Sequence, residues 1–98
     1  MSPADRVRWA RQTLEEKLSN LGFNTQEAAR LETLVRFVER TPGSQMTSDI
    51  IRGVDALTAT AERTPSAQSG FTGGFLDGLY DELKETLSPE ELEQLQKG

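Results

Sequence analysis

A chain of 98 residues with 16 acidic and 11 basic side chains has a net charge of −5, and it contains neither cysteine nor histidine. This composition excludes disulfides, thiolate nucleophiles, imidazole acid–base catalysis and the usual zinc-binding sets. The charge imbalance is confined to residues 51–98, which hold nine acidic and four basic side chains, whereas the first fifty residues hold seven of each. Because phosphate backbones and anionic membranes repel an acidic protein, direct binding to nucleic acids or membranes is disfavoured.

We expect a single domain spanning residues 1–98, because a chain of this length supports one modest core. No apolar run approaches membrane-spanning length, and no apolar segment follows the arginines near the N-terminus. We therefore expect neither a transmembrane helix nor a signal peptide. The absence of cysteine fits the cytoplasmic location that we predict, and it also fits other compartments.

Apolar residues recur with the helical period of about 3.6 along most of the sequence, and the alternation typical of β-strands is hard to find. The pattern predicts an all-α domain. Its expected fold is a small bundle of four to five helices, at about residues 3–21, 25–40, 47–63, 72–87 and 89–96.

The first two predicted helices begin with residues that cap helices well. Ser2 followed by Pro3 is typical of an N-cap and a first helical position, and the apolar stripe that follows ends before Gly22. Asn24 and Glu27 have the spacing of a capping box at the start of the second helix. Apolar residues cover nearly half the circumference of that helix, so we expect it to be central, with two neighbours.

The later helices are separated by a longer connection. The third helix is predicted to begin near Thr47 or Ser48. The small residues of its second half indicate either close contact with another helix or a fraying end. Residues 64–70 are the most loop-like stretch and the best candidate for mobility. Thr72 is then expected to cap the most strongly apolar helix, and Ser88 with Pro89 to start the terminal one.

Nearly the same seven residues, ERTPGSQ and ERTPSAQ, occupy positions 39–45 and 62–68. Proline disfavours helical geometry in the residue before it, so Thr41 and Thr64 are predicted to leave their helices. The arginine before each threonine would then lie near carboxyl-terminal carbonyl groups, which favour cations. The alternative is a Thr-Pro phosphorylation site. We favour the helix stop, because proline commonly follows a helix end.

Trp9 is the first candidate for a functional role. At 100° per residue it lies about opposite the apolar stripe of its helix, close to Arg6 and Arg8. A tryptophan among arginines on a polar face has the composition of a protein-binding hot spot. The alternative is that Trp9 packs against the C-terminal helix of the chain or against residues 64–70. The sequence leaves both interpretations open.

An acidic face on the fourth helix is the second candidate. Asp77, Asp81 and Glu85 recur every four residues, and Gly74 and Gly78 lie on the same side. Such like charges are mildly unfavourable unless a partner, a divalent cation or the chain's own arginines face them, although a solvated face is the ordinary interpretation. Each glycine costs about 1 kcal/mol relative to alanine in a helix, which predicts that another backbone approaches closely.

Two further motifs carry little weight. A helix-turn-helix is disfavoured, because the third predicted helix exposes one arginine and three acidic residues where a recognition helix needs hydrogen-bond donors. The glycine-rich residues 70–74 are a very weak nucleotide-binding motif, since no strand precedes them and no Lys-Ser or Lys-Thr pair follows.

We therefore expect a small, acidic, non-enzymatic protein that binds another protein as an adaptor, chaperone or inhibitor, and its size, acidity and helicity suggest a phage or secretion system. No nucleophile–base pair or metal-binding set can be assembled, so we predict no enzyme activity, cofactor or metal. Two alternatives stay open: self-association, and mimicry of a nucleic acid by the acidic face. The candidate partner-binding residues are Trp9, Arg6, Arg8, Gly74, Asp77, Gly78, Asp81 and Glu85.

Overall fold

The computed structural model describes residues 2–18, 23, 25–63 and 69–97. Within these residues the chain forms no strand and five α-helices: α1 (Pro3–Leu18), α2 (Thr25–Arg40), α3 (Gln45–Arg63), α4 (Ser69–Thr86) and α5 (Pro89–Lys97). The predicted all-α bundle is confirmed. The predicted end of the first helix at residue 21 and the predicted cap at Asn24 lie outside the described residues.

One hydrophobic core joins the five helices. α1 packs against both α2 and α3, whereas α4 and α5 pack mainly against α2. α2 therefore contacts each of the other four helices, and its predicted central place is confirmed with more neighbours than the two expected. Its apolar contribution to the core consists of Leu31, Leu34, Val35, Phe37 and Val38.

α3 begins at Gln45, two residues before the predicted start, because Ser44 is its N-cap. The Ser44 hydroxyl oxygen accepts a hydrogen bond from the backbone N–H of Thr47 at 3.0 Å. Thr47, which was expected to start the helix, instead donates its hydroxyl to the carbonyl oxygen of Thr41 at 2.6 Å. The buried side chain of Thr47 therefore connects α3 to the preceding turn by a hydrogen bond.

α4 begins at Ser69, so the cap predicted at Thr72 was wrong. Residues 69 and 70 are helical rather than part of a loop, and the rest of the predicted loop, residues 64–68, lies outside the described residues. Helix propensity predicts poorly here, because tertiary packing of the apolar face of α4 overrides the cost of the glycines in its first turns.

The first Thr-Pro segment follows a helix end, as predicted. α2 ends at Arg40 and α3 at Arg63. The backbone N–H and the hydroxyl of Thr41 both donate to the carbonyl oxygen of Phe37, at 2.9 and 2.8 Å. These bonds close the last turn of α2, which confirms the helix-stop interpretation for the first copy; Thr64 lies outside the described residues.

Candidate protein interaction surface

Trp9 lies on the outward side of α1, where the helical period predicted it. On the other side of α1, Val7, Leu14 and Leu18 are fully buried in the core. Trp9 itself is 45% exposed, and no other large hydrophobic side chain is exposed among residues 2–18, 23, 25–63 and 73–97. An apolar ring is therefore held in water on a helix whose opposite side is fixed in the core.

A shallow groove of about 410 Å³ runs beside Trp9 between α1 and α3. It is lined by Arg6 and Trp9 of α1 and by Asp55, Thr58, Ala59 and Glu62 of α3. Thr58 is buried, and its hydroxyl donates to the carbonyl oxygen of Val54 at 2.8 Å, so its polarity is satisfied within α3. The small residues Thr58 and Ala59 leave space between the two helices. The small-residue half of α3 thus faces α1, and the helix continues to Arg63 rather than fraying.

The lining of the groove shows which helices lie beside Trp9. Its lining comes from α1 and α3, and none of it from α5, against which Trp9 was alternatively expected to pack. The other alternative contact, residues 64–68, lies outside the described part of the chain.

The arginines around Trp9 are engaged within the chain rather than free for a partner. Three ion pairs join α1 to its neighbours: Arg6 with Asp55 of α3, Arg8 with Glu39 of α2, and Arg11 with Glu32 of α2. All six side chains are between a third and a half exposed, so each pair contributes about 0.2–1 kcal/mol. The pairs hold α1, and the ring that it carries, in a defined orientation.

Asp5 belongs to the capped first turn of α1. Its backbone N–H donates to the Ser2 hydroxyl oxygen at 3.2 Å, which confirms Ser2 as the N-cap. The hydrogen bond between the Ser2 side chain and the Asp5 carboxylate is the largest cause of a lowered pKa of Asp5, and Arg8, whose Nη1 lies 3.2 Å from Asp5 Oδ1, lowers it further.

The acidic face of α4 has cation partners within the chain. Arg30 Nε lies 2.7 Å from Asp77 Oδ1, as an ion pair rather than an aligned hydrogen bond, and Lys84 Nζ lies 3.5 Å from Asp81 Oδ1. Glu85 is exposed and forms no ion pair with any described residue. Two acids of this face, Asp77 and Asp81, are therefore paired with the chain's own cations.

Gly74 and Gly78 do not mark a close contact between helices of this chain. A Cβ atom added to either would meet nothing within 4 Å, so the predicted backbone approach was wrong for the chain's own helices. The close approach occurs at Gly53, where an added Cβ would lie 2.8 Å from Phe75 Cε1 of α4. The sequence did contain a signal that was missed, because a glycine inside α3 also costs about 1 kcal/mol and needs a reason.

A polar cluster that the sequence did not predict holds α5 against α2 and α4. The guanidinium carbon of Arg30 lies 5.0 Å from the centre of the Tyr80 ring, within the range of a cation–π interaction. The side-chain amide of Gln96 donates to the Tyr80 hydroxyl oxygen. Arg36 Nη1 donates to two carbonyl oxygens at the end of α5, at 2.8 and 3.3 Å. These groups are 59 and 60 positions from Arg36, so no local pattern could reveal them.

Within residues 2–18, 23, 25–63 and 69–97, no group of three or more acidic side chains is placed to hold a metal ion. In that same part of the chain, no helix combines the length and the apolar character needed to cross a bilayer.

No protein-family model, no curated protein and no solved structure matches this chain. Fold and site together define a small all-α bundle with an aromatic groove between α1 and α3. The chemistry of this groove is therefore the basis for proposing a function.

Proposed function

We propose that the chain is a non-enzymatic protein-binding module whose partner docks on the groove between α1 and α3, with Trp9 as the central anchor. The main support for this proposal is the exposure of the Trp9 side chain. Tryptophan is enriched among the residues that contribute most to binding between proteins, and large aromatic side chains are seldom left half in water without a contact to make.

The free energy available from burying the ring supports this role. Aromatic side chains bury 150–250 Å², so the 45% of Trp9 that is exposed leaves about 100 Å² for a partner to cover. At about 25 cal/mol per Å² this area is worth about 2.5 kcal/mol, the magnitude of a hot-spot residue.

The rigidity of the surroundings also supports docking at this site. Trp9 stands on a regular helix, and the ion pair of Arg6 with Asp55 connects the two sides of the groove. A surface that is already ordered loses little conformational entropy when a partner binds. A rigid module of this kind fits an adaptor, a chaperone or an inhibitor.

Self-association through the acidic face of α4 is a second candidate. The open space above Gly74 and Gly78 favours it, because another backbone could approach there. The pairing of Asp77 and Asp81 with Arg30 and Lys84 weighs against it, since a second copy would have to displace these cations. In light scattering we expect a monomer at both low and high salt. A dimer that dissociates as salt is added would favour this candidate instead.

Affinity purification from the native host tests the main proposal. Tagged wild-type protein and the Trp9→Ala variant are compared by quantitative mass spectrometry. Gln94→Ala, at an exposed position on α5 that does not line the groove, is the control. We expect proteins that are retained by the wild type and by Gln94→Ala and lost from Trp9→Ala. The circular dichroism of Trp9→Ala should stay helical, because the ring is outside the core.

Two results would contradict the proposal. Equal capture by Trp9→Ala and the wild type would show that the groove is not the docking site. Loss of helical structure in Trp9→Ala would show that the ring is part of the packed core.

A further inference from the structure

Two carboxylates in the neighbourhood of Trp9 have no cation partner among the described residues. Glu62 lines the groove on the α3 side. Glu16 follows Trp9 by seven residues, which is about two helical turns, so it lies roughly 10 Å further along the same side of α1. Both side chains are exposed, and neither forms an ion pair with any residue that the structure describes.

The cations of the neighbourhood do not neutralise these two carboxylates. The arginines of α1 are paired elsewhere: Arg6 with Asp55, Arg8 with Asp5 and Glu39, and Arg11 with Glu15 and Glu32. Lys17 and Arg63 directly follow Glu16 and Glu62, but adjacent residues on a helix do not face each other. The lining of the groove itself holds one basic and two acidic side chains, so it keeps an excess of negative charge.

The Trp9 ring adds a second feature that suits a cation. Tryptophan binds cations over its face better than any other aromatic residue. In the described part of the chain the cations that lie over a ring, Arg30 and Lys84, both lie over Tyr80, so no described cation occupies the face of Trp9.

The shape of the groove selects the form of the partner. A groove between two helices accepts the ridge of side chains on a third helix, and the small residues Thr58 and Ala59 leave room for an aliphatic side chain. Resting on the proposed function, we infer that the partner presents a basic amphipathic helix, with aliphatic residues against α3 and lysine or arginine against Trp9, Glu16 and Glu62. The net charge of −5 would also speed the approach of such a helix at low salt.

Synthetic peptides provide the probe for this inference. Three peptides of about 18 residues, long enough to form helices, carry leucine at helical spacing and lysine, glutamine or glutamate at the remaining positions. Trp9 is the only tryptophan in the sequence, so its fluorescence reports directly on the groove. We expect the lysine peptide to shift the emission to shorter wavelength, with a Kd that rises as salt is added, and the glutamate peptide to leave it unchanged.

Variants separate the groove from a general attraction to an acidic protein. The double variant Glu16→Gln/Glu62→Gln should weaken binding of the lysine peptide about five- to tenfold at low salt. The matched control Glu82→Gln/Glu90→Gln, which removes two exposed acids of α4 and α5 and the same net charge, should change the Kd less than about twofold. Equal losses in the two double variants would overturn the inference, and so would equal binding of the glutamine peptide or the absence of any shift with the lysine peptide.

Two experimental outcomes distinguish a wrong partner class from a wrong docking site. If capture of host proteins requires Trp9 while the lysine peptide fails to bind, the docking site stands and the basic helix is wrong. If Trp9→Ala captures the same host proteins as the wild type, the docking site itself is wrong, whether or not the lysine peptide binds.

Discussion

Arg6 of α1 is paired with Asp55 of α3, 49 positions further along the chain, and both residues line the groove that contains Trp9. The pair connects the helix that carries the aromatic ring to the helix that forms the opposite wall. It therefore affects the spacing of the candidate docking surface without belonging to the hydrophobic core.

A double-mutant cycle on Arg6→Ala and Asp55→Ala should give a coupling free energy of about 0.2–1 kcal/mol, because both side chains are partly exposed. Chemical denaturation measures the four free energies of unfolding, and the coupling should shrink as salt is added. The same cycle on Arg6 and Glu62, which share the groove without pairing, is the control and should give a coupling near zero. Equal coupling in the two cycles would contradict the pairing.

Alanine substitutions should separate the glycines that are merely exposed from the one that is needed for packing. Gly78→Ala should raise the free energy of unfolding by about 0.5–1 kcal/mol, because the added Cβ meets nothing and alanine favours the helix. Gly53→Ala should lower it by about 1–2 kcal/mol, since displacing the Phe75 ring costs more than the propensity gained. Thermal unfolding of both variants checks these signs, and a stabilised Gly53→Ala would show that Phe75 moves aside easily.

Removing Arg36 should release α5 from α2. Arg36→Ala deletes the hydrogen bonds to carbonyl oxygens at the end of α5, and we expect the free energy of unfolding to fall by about 1–2 kcal/mol. Hydrogen exchange should accelerate most in the backbone amides of α5. Arg52→Ala, whose side chain is 74% exposed, is the control and should leave α5 exchange unchanged. If hydrogen exchange accelerated equally in all helices of Arg36→Ala, the stabilising effect of Arg36 would not be confined to α5, which would contradict the prediction.

The carboxyl group of Asp5 should titrate below its ordinary pKa in the folded protein. Because its folded pKa is lowered relative to the unfolded chain, the stabilising contribution is present above the unfolded pKa and is lost as the pH falls through the folded pKa. Ser2→Ala should move the pKa of Asp5 upwards, towards the ordinary value, since it removes the largest cause of the shift. NMR titration of the side-chain carbonyl carbon measures both values, and an identical pKa in the two proteins would contradict the role of Ser2.

Local chemistry was sufficient to predict the helices and most of their ends. The cap at Ser2 and the stop at Thr41 involve hydrogen bonds between residues three or four positions apart, which spacing in the sequence reveals. The same holds at Ser88, whose hydroxyl oxygen accepts a hydrogen bond from the Glu91 backbone N–H at 3.2 Å. The start of α3 was misplaced because Ser44 and Thr47 both suit a cap, and their hydrogen bonds in the folded turn decide between them.

The candidate site was predictable only in part. The helical period alone determined that Trp9 faces away from the core. Each residue is rotated by 100° from the one before it, so the face on which a residue lies depends only on its position along the helix. The tertiary structure decided which side chains lie beside the ring and which residue pairs with Arg6. It also decided that the close contact between helices falls at Gly53, while Gly78 faces open space. These features depend on which helices pack together, since they join residues that the chain separates by several turns and connections. Spacing within one helix carries no information about them.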